Sequence, residues 1–265
     1  MLSASMLLFP VLGAVAGILA GLLGIGGGLV LVTALVWLLP AYGIPKDAAM
    51  HAALATSLAS IVLTGMSSAR AHQRRGSVLW PSVAWLVPGM LIGGWLGARL
   101  AIGLDGEVLK YGVIAYCALA GTQMLLSRSP PETGAAVVPS GAGMTGAGIG
   151  IGIASSLVGI GGGSMTVPLL VWRGVQPVRA VGTSAACGVF IGLASASGYA
   201  LQAPGDVLPS MAWGYVYLPA AIGIALASVL VAPLGTRLAH AISGPALKRV
   251  FAIFMYCIGA SLLLW

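Results

Sequence analysis

Charge is what this chain has least of. Of its 265 residues, 12 are Lys or Arg and 5 are Asp or Glu, so 6% are charged. Soluble domains carry about 25%, and a surface this poor in charge does not stay dissolved. The acids are also in telling places. Asp47, Asp105, Glu107, Glu132 and Asp206 all fall in or beside connections, and no carboxylate sits mid-segment. Cation pumps and many proton relays need such a carboxylate. Cysteine is scarce too. Cys117, Cys187 and Cys257 each stand alone in an apolar run, which indicates neither a disulfide framework nor a metal site. No Lys or Arg precedes the first apolar stretch. A cleaved leader needs a basic n-region, so this stretch is expected to be retained.

Other absences remove whole classes. The net charge is +7, but the bases lie in short connections without interleaved aromatics, which points to membrane topology rather than nucleic acid. Gly-x-Gly stretches that approach the Gly-x-Gly-x-x-Gly pattern occur near Gly24 and Gly148. A dinucleotide site also needs a preceding strand and an acid about 20 residues on, and neither is present. No Lys-Ser/Thr follows the glycines, so there is no P-loop. No Ser–His pair lies within the second-half segments, where His240 sits at an edge. An enzyme is not expected, and no cofactor is implied.

What is present is apolar length. Hydrophobic residues make up 59% of the chain and mean hydropathy is +1.04. Runs of about 20 apolar residues mark bilayer spans. Ten apolar segments can be drawn, at 6–23, 28–42, 48–69, 79–102 and 108–127, then 141–158, 163–173, 178–202, 212–238 and 246–264. The polar, Pro-containing stretch 128–139 divides two repeats, 1–127 and 140–265, of one integrated transmembrane domain.

The halves match. At an offset of 135, Gly13, Gly17 and Gly21 fall on Gly148, Gly152 and Ser156, and Gly24-Ile25-Gly26-Gly27-Gly28 falls on Gly159-Ile160-Gly161-Gly162-Gly163. At 127, Thr56-Ser57 falls on Thr183-Ser184, and at 138 Gly97-x-Arg99-Leu100-Ala101 falls on Gly235-x-Arg237-Leu238-Ala239. Corresponding connections differ in charge. Arg70, Arg74 and Arg75 have as counterpart 202–210, with no base and Asp206. Lys/Arg-rich short loops stay cytoplasmic, so the halves are expected in opposite orientations. That places 70–78, 128–139, 173–178 and 239–246 in the cytoplasm and both termini outside. The expected fold is an all-α polytopic membrane protein of two inverted repeats, each with about five helical segments (eight to ten transmembrane segments in all). The central helices are Gly-broken or re-entrant. Five spans per half, or three spans plus a hairpin over 6–42, both satisfy the count.

The glycine-rich breaks are the strongest site candidates. Each glycine costs a helix on the order of 1 kcal/mol. Irregular backbone survives at membrane depth only when buried in protein or lining a wet cavity. A helix begins after each break, and helix N-termini hold anions. Gly24, Gly26, Gly27, Gly28, Gly159, Gly161, Gly162, Gly163 and Ser164 are therefore candidate substrate contacts. The bland alternative is a tight packed hairpin. Thr56, Ser57, Thr183 and Ser184 either bond the preceding helical turn or add neutral donors to the site. His51 is an interface histidine or a proton-linked contact to the anion. Arg179 marks the cytoplasmic side or attracts anions. The small-residue runs Gly13–Gly21 and Gly148–Ser156 read as helix packing.

The sequence resembles the sulfite exporter TauE/SafE family. The carriers are L-x-G-I-G-G-G at Leu22–Gly28 and Leu157–Gly163, Val167-Pro168 after the second copy, A-L-A-T-S at Ala53–Ser57, A-V-G-T-S at Ala180–Ser184, and G-x-R-L-A in both halves. Thr33 stands where the second copy has Pro168. The resemblance covers nearly the whole chain. It implies a bacterial inner-membrane transporter, expected to export sulfite, sulfonates such as sulfoacetate, or related anions. The expected partners are a small anionic substrate and the lipid bilayer. An anion channel or a non-transporting scaffold is the alternative.

Overall fold

The computed structural model describes residues 7–24, 27–126, 138–202, 208–209 and 211–265. The central stretch of the linker, and Ile25 and Gly26 of the first break, lie outside the described residues. Ten helices dominate the described chain: α1 (Leu8–Leu23), α2 (Gly28–Leu38, continued by a 3-10 turn Leu39–Tyr42), α3 (Lys46–Gln73), α4 (Trp80–Ile102), α5 (Gly106–Leu126), α6 (Ala142–Val158), α7 (Gly163–Trp172), α8 (Pro177–Ala200), α9 (Leu218–Ala241) and α10 (Gly244–Leu263). A two-stranded antiparallel ribbon, β1 (Ala212–Trp213) and β2 (Val216–Tyr217), precedes α9. In sequence, 212–238 reads as one apolar segment. Gly214 takes a left-handed φ of 56°, and the aromatic and β-branched residues around it favour a strand. Helix begins only where Pro219 can occupy its first turn.

Among the described residues, five helices, α3, α4, α5, α8 and α9, are long and apolar enough to cross a bilayer. α3 and α8 cross at the centre and are buried along most of their length. The outer helices present leucines to the outside: Leu119 is 72% and Leu230 78% exposed. An apolar exterior over a buried polar interior is the arrangement a bilayer requires.

The packing exchanges the halves. α1 lies along α9, and α6 lies along α4. Gly13, Gly17 and Gly21 back onto the main chain of Ile224, Ser228 and Ala232, while Gly148 and Gly152 back onto Leu86 and Met90. A methyl group at any of these glycines would overlap the partner backbone. Small residues let membrane helices touch this closely, so the stripe is packing.

Four short helices form two hairpins. At 1.5 Å per residue, the 16 residues of α1 and 11 of α2 reach roughly 24 and 17 Å, short of the ~30 Å hydrocarbon core. Phe9, near the start of α1, stacks 5.0 Å from Tyr42, which follows α2. Gly27, after the break, returns to the level of Ala16. The hairpin therefore opens and closes at one end of the helical body. In the second hairpin, Arg173 after α7 reaches Met144 at the start of α6 (3.9 Å), and Gly162 returns to the level of Ile151.

The hairpins open at opposite ends. The first shares its end with His51, the β-ribbon and the α4–α5 connection, where Tyr217 lies 6.3 Å from Phe9. The second opens beside the α3–α4 connection, where Ser82 Oγ donates to the Pro139 carbonyl (2.7 Å). Charge separates accordingly. The second end gathers Arg70, Arg74, Arg75, Arg173, Arg179, Arg237 and Arg249 with no acid among the described residues. The first end balances Lys46, Arg99 and Lys110 against Asp47, Asp105 and Glu107.

Candidate functional site

The two glycine breaks take matching backbone conformations at their left-handed glycines. Gly24 and Gly159 end α1 and α6 in the left-handed region, at φ 70° and 75°. Gly27 and Gly162 precede α2 and α7 in the same region, at φ 71° and 74°. A side chain at φ > 0 is disfavoured by roughly 1–2 kcal/mol, which explains the glycines at these four points. The breaks also touch. A methyl at Gly28 would overlap the Gly159 carbonyl oxygen and come within 3.1 Å of Ile160 Cα. Neither α2 nor α7 has a side-chain cap at its start. The first-turn N–H groups of such helices have no intrahelical partner, and they concentrate partial positive charge.

The hydroxyls repeated around the breaks already have backbone partners. Ser57 Oγ sits 3.0 Å from the Gly28 carbonyl and 3.1 Å from that of Gly159. Ser184 Oγ donates to the Gly24 carbonyl at 3.1 Å. Each serine thus reaches the break of the opposite half. Thr56 Oγ1 accepts from the Tyr217 N–H (3.0 Å), at the start of α9. Thr183 Oγ1 accepts from the Leu79 N–H (2.9 Å), at the start of α4, and donates to the Arg179 carbonyl (2.7 Å). The two serines cannot offer an oxyanion the protons they already give to carbonyls. In this structure the four residues tie the halves together around the breaks.

His51 is also committed. Its Nε2 lies 3.1 Å from the Ala101 carbonyl and 2.9 Å from that of Leu104, and its ring stacks on Tyr215 at 5.2 Å. It closes the C-terminal end of α4, where orphan carbonyls need donors. Arg179 is half-buried in the first turn of α8, with no side-chain partner among the described residues. Of the predicted site residues, Gly24, Gly27, Gly28, Gly159, Gly161, Gly162, Gly163, Ser164, Ser57 and Ser184 cluster at the breaks. Thr56 and Thr183 adjoin them in sequence. His51 lies at the end of α4 and Gly26 outside the described residues.

Several polar residues near the second break escaped the sequence reading. Tyr116 of α5 donates to Ser164 Oγ. Ser156 Oγ donates to the Gly94 carbonyl (2.7 Å) and pairs with Ser195 Oγ. Tyr199 donates to the Ser156 carbonyl at 3.1 Å. In the first half, His72 Nε2 makes the matching contact with the Gly21 carbonyl, also at 3.1 Å. Buried hydroxyls of Ser155 and Thr166 have no hydrogen-bond partner among the described residues. Comparison of the halves at the same offsets shows Ala20 and Leu31 where Ser155 and Thr166 stand. That substitution pattern was a usable signal.

Apolar helices, a small-residue interface and two broken hairpins define an all-α polytopic membrane protein. The family model described as "Sulfite exporter TauE/SafE" matches residues 9–262. The chain belongs to that family, and it is a membrane transporter. It is 36% identical over 259 residues to a "Probable membrane transporter protein" of Haemophilus influenzae, covering 97% of this chain and 98% of that protein. A protein of the same name from Xylella fastidiosa is 30% identical over 194 residues, 71% of each chain. "Probable membrane transporter protein YunE" of Bacillus subtilis is 27% identical over 198 residues, 68% of this chain and 72% of that one. No solved structure matches.

Proposed function

We propose that the protein exports a small sulfur-containing oxyanion, sulfite or an organosulfonate such as sulfoacetate, across the bacterial inner membrane by alternating access. The observation that carries this reading is the contact of two equivalent glycine breaks, from hairpins that open at opposite ends. Broken helices at matching places in two repeats are where secondary transporters bind their substrates. Uncapped helix starts suit an anion. Gly24, Gly27, Gly28, Gly159, Gly161, Gly162, Gly163 and Ser164 form the substrate contacts in this reading, and Ser57, Ser184, Thr56 and Thr183 hold them in place. The arginine-rich end faces the cytoplasm by the positive-inside rule. The repeats are then inverted, and the termini are periplasmic. Transport proceeds by one repeat rocking against the other.

The test is flux in proteoliposomes loaded with radiolabelled sulfite or sulfoacetate. Saturable, protein-dependent movement of either anion is expected. Absence of flux for both, in vesicles shown to contain folded protein, defeats the reading. Unitary currents in planar bilayers would replace alternating access with a channel.

A further inference from the structure

The two hairpins share a backbone but not a polarity. At the positions of Ala20, Leu29 and Leu31 in the first, the second carries Ser155, Ser164 and Thr166. Ser155 is 1% exposed and Thr166 is fully buried, yet neither hydroxyl has a hydrogen-bond partner among the described residues. Helical Ser and Thr ordinarily satisfy themselves on the preceding turn; Thr33 in the first hairpin does so, on the Leu29 carbonyl at 2.9 Å. Buried hydroxyls in native folds nearly always have a partner, from protein, ordered water or a bound ion. The location of these two is specific. Ser155 Oγ lies 3.3 Å from where a methyl on Gly162, the N-cap residue of α7, would sit, beside Ile191 Cδ1 and Ile151 Cγ2. Thr166 lies four residues further, on the same stripe of α7. Ser164 Oγ accepts from Tyr116, which leaves the serine's own proton to donate.

We propose that the substrate's anionic group is held by the second hairpin alone, on the N-terminus of α7, with Ser155, Ser164 and Thr166 as side-chain donors. This rests on the anion-transport reading above and narrows its site from two breaks to one. Every donor in the set is neutral, and neither α6 nor α7 contains a charged residue. Neutral donors in a buried site compensate one delocalised charge far better than two. The ligand class is therefore a singly charged tetrahedral or pyramidal oxyanion group, as in hydrogensulfite or an alkyl sulfonate, in preference to sulfate. The first hairpin, with apolar residues at those positions, supplies the matching backbone for movement and no side-chain donor.

The experiment uses the full chain in detergent, titrated with methanesulfonate, sulfite and sulfate by calorimetry and thermal shift. Methanesulfonate and sulfite are expected to bind and sulfate to bind at least tenfold more weakly. Ser155→Ala and Thr166→Val are each expected to weaken binding roughly ten- to hundredfold, the loss of one hydrogen bond to a charged group. Their unliganded melting temperatures should stay level or rise, because an unsatisfied hydroxyl is removed. Thr33→Val should bind as the unmodified protein does. Unchanged affinity in Ser155→Ala and Thr166→Val, or an equal loss in Thr33→Val, overturns the one-hairpin site while leaving transport standing. Lower melting temperatures with unchanged affinity also overturn it. Failure of the unmodified protein to bind or move any of these anions removes the transport reading and this site with it.

Discussion

The first and second hairpins have backbones that agree within a few degrees at their left-handed glycines but differ in the polarity of their own side chains beside the breaks. Gly24 and Gly159 differ by 5° in φ, and Gly27 and Gly162 by 3°. Around the first break stand Ala20, Gly21, Leu29 and Leu31; around the second stand Ser155, Ser156, Ser164 and Thr166. The shared part is what lets two hairpins meet and exchange helices, since a break needs the same φ values wherever it occurs. The unshared part is free to differ because side chains face different neighbours. His72 and Tyr199 make the same point. An imidazole and a phenol at matching offsets each contact the carbonyl at the same point of the first helix of their half. The hydrogen bond is the same in both halves and the chemistry that makes it differs.

The comparison breaks most severely at the glycines. Gly24→Val and Gly159→Val each force a β-branched residue to positive φ, against the Val181 carbonyl in one case and against Val32 and Leu54 in the other. Strain of this kind costs about 1–3 kcal/mol before the overlap is counted. Loss of folded protein by size-exclusion chromatography, or at least ~100-fold loss of flux, is expected from both. A tolerated Gly24→Val would show that only the second break is tightly constrained.

Ser57→Ala and Ser184→Ala come next. Ser57 serves two carbonyls and Ser184 one. Each buried bond lost costs about 1 kcal/mol, more where a carbonyl is left unpaired in a dry site. Both variants should melt lower in detergent, Ser57→Ala by the larger margin. If instead they keep their melting temperatures and lose anion affinity, the serines are ligands rather than ties.

The smallest effect is expected from Tyr199→Phe, which removes one donor from the Ser156 carbonyl and keeps the ring in its packed place. A loss of about 1 kcal/mol, read as a shift in thermal midpoint, would match a purely structural role. His72→Gln, which retains a donor, should stay within about 1 kcal/mol of the unmodified protein by the same reasoning.

Much of the fold is legible in the amino-acid sequence itself. Low charge and long apolar runs determined a polytopic helical membrane protein, because water-exposed backbone is not an option in hydrocarbon. The spacing of G-I-G-G-G located both breaks, because glycine alone takes positive φ cheaply. The Gly13 and Gly148 stripes were readable as close packing, although not as packing against the fourth helix of the other half. That pairing is long-range and leaves no local trace. Tertiary structure alone decided where the hydroxyls point. Thr56-Ser57 and Thr183-Ser184 read in sequence as bonds to the preceding turn or as donors to the site, and only the fold shows their contacts with the opposite half. His51 reads in sequence as an interface histidine or a proton-linked contact, and only the fold sets its ring against the carbonyls at the end of α4. Ser155 and Thr166 drew no notice, since a hydroxyl in an apolar helix is ordinary until its missing partner is visible. Sequence determines which backbone each segment can adopt; the three-dimensional arrangement of segments distant in the chain decides which polar groups are already satisfied and which are left for a ligand.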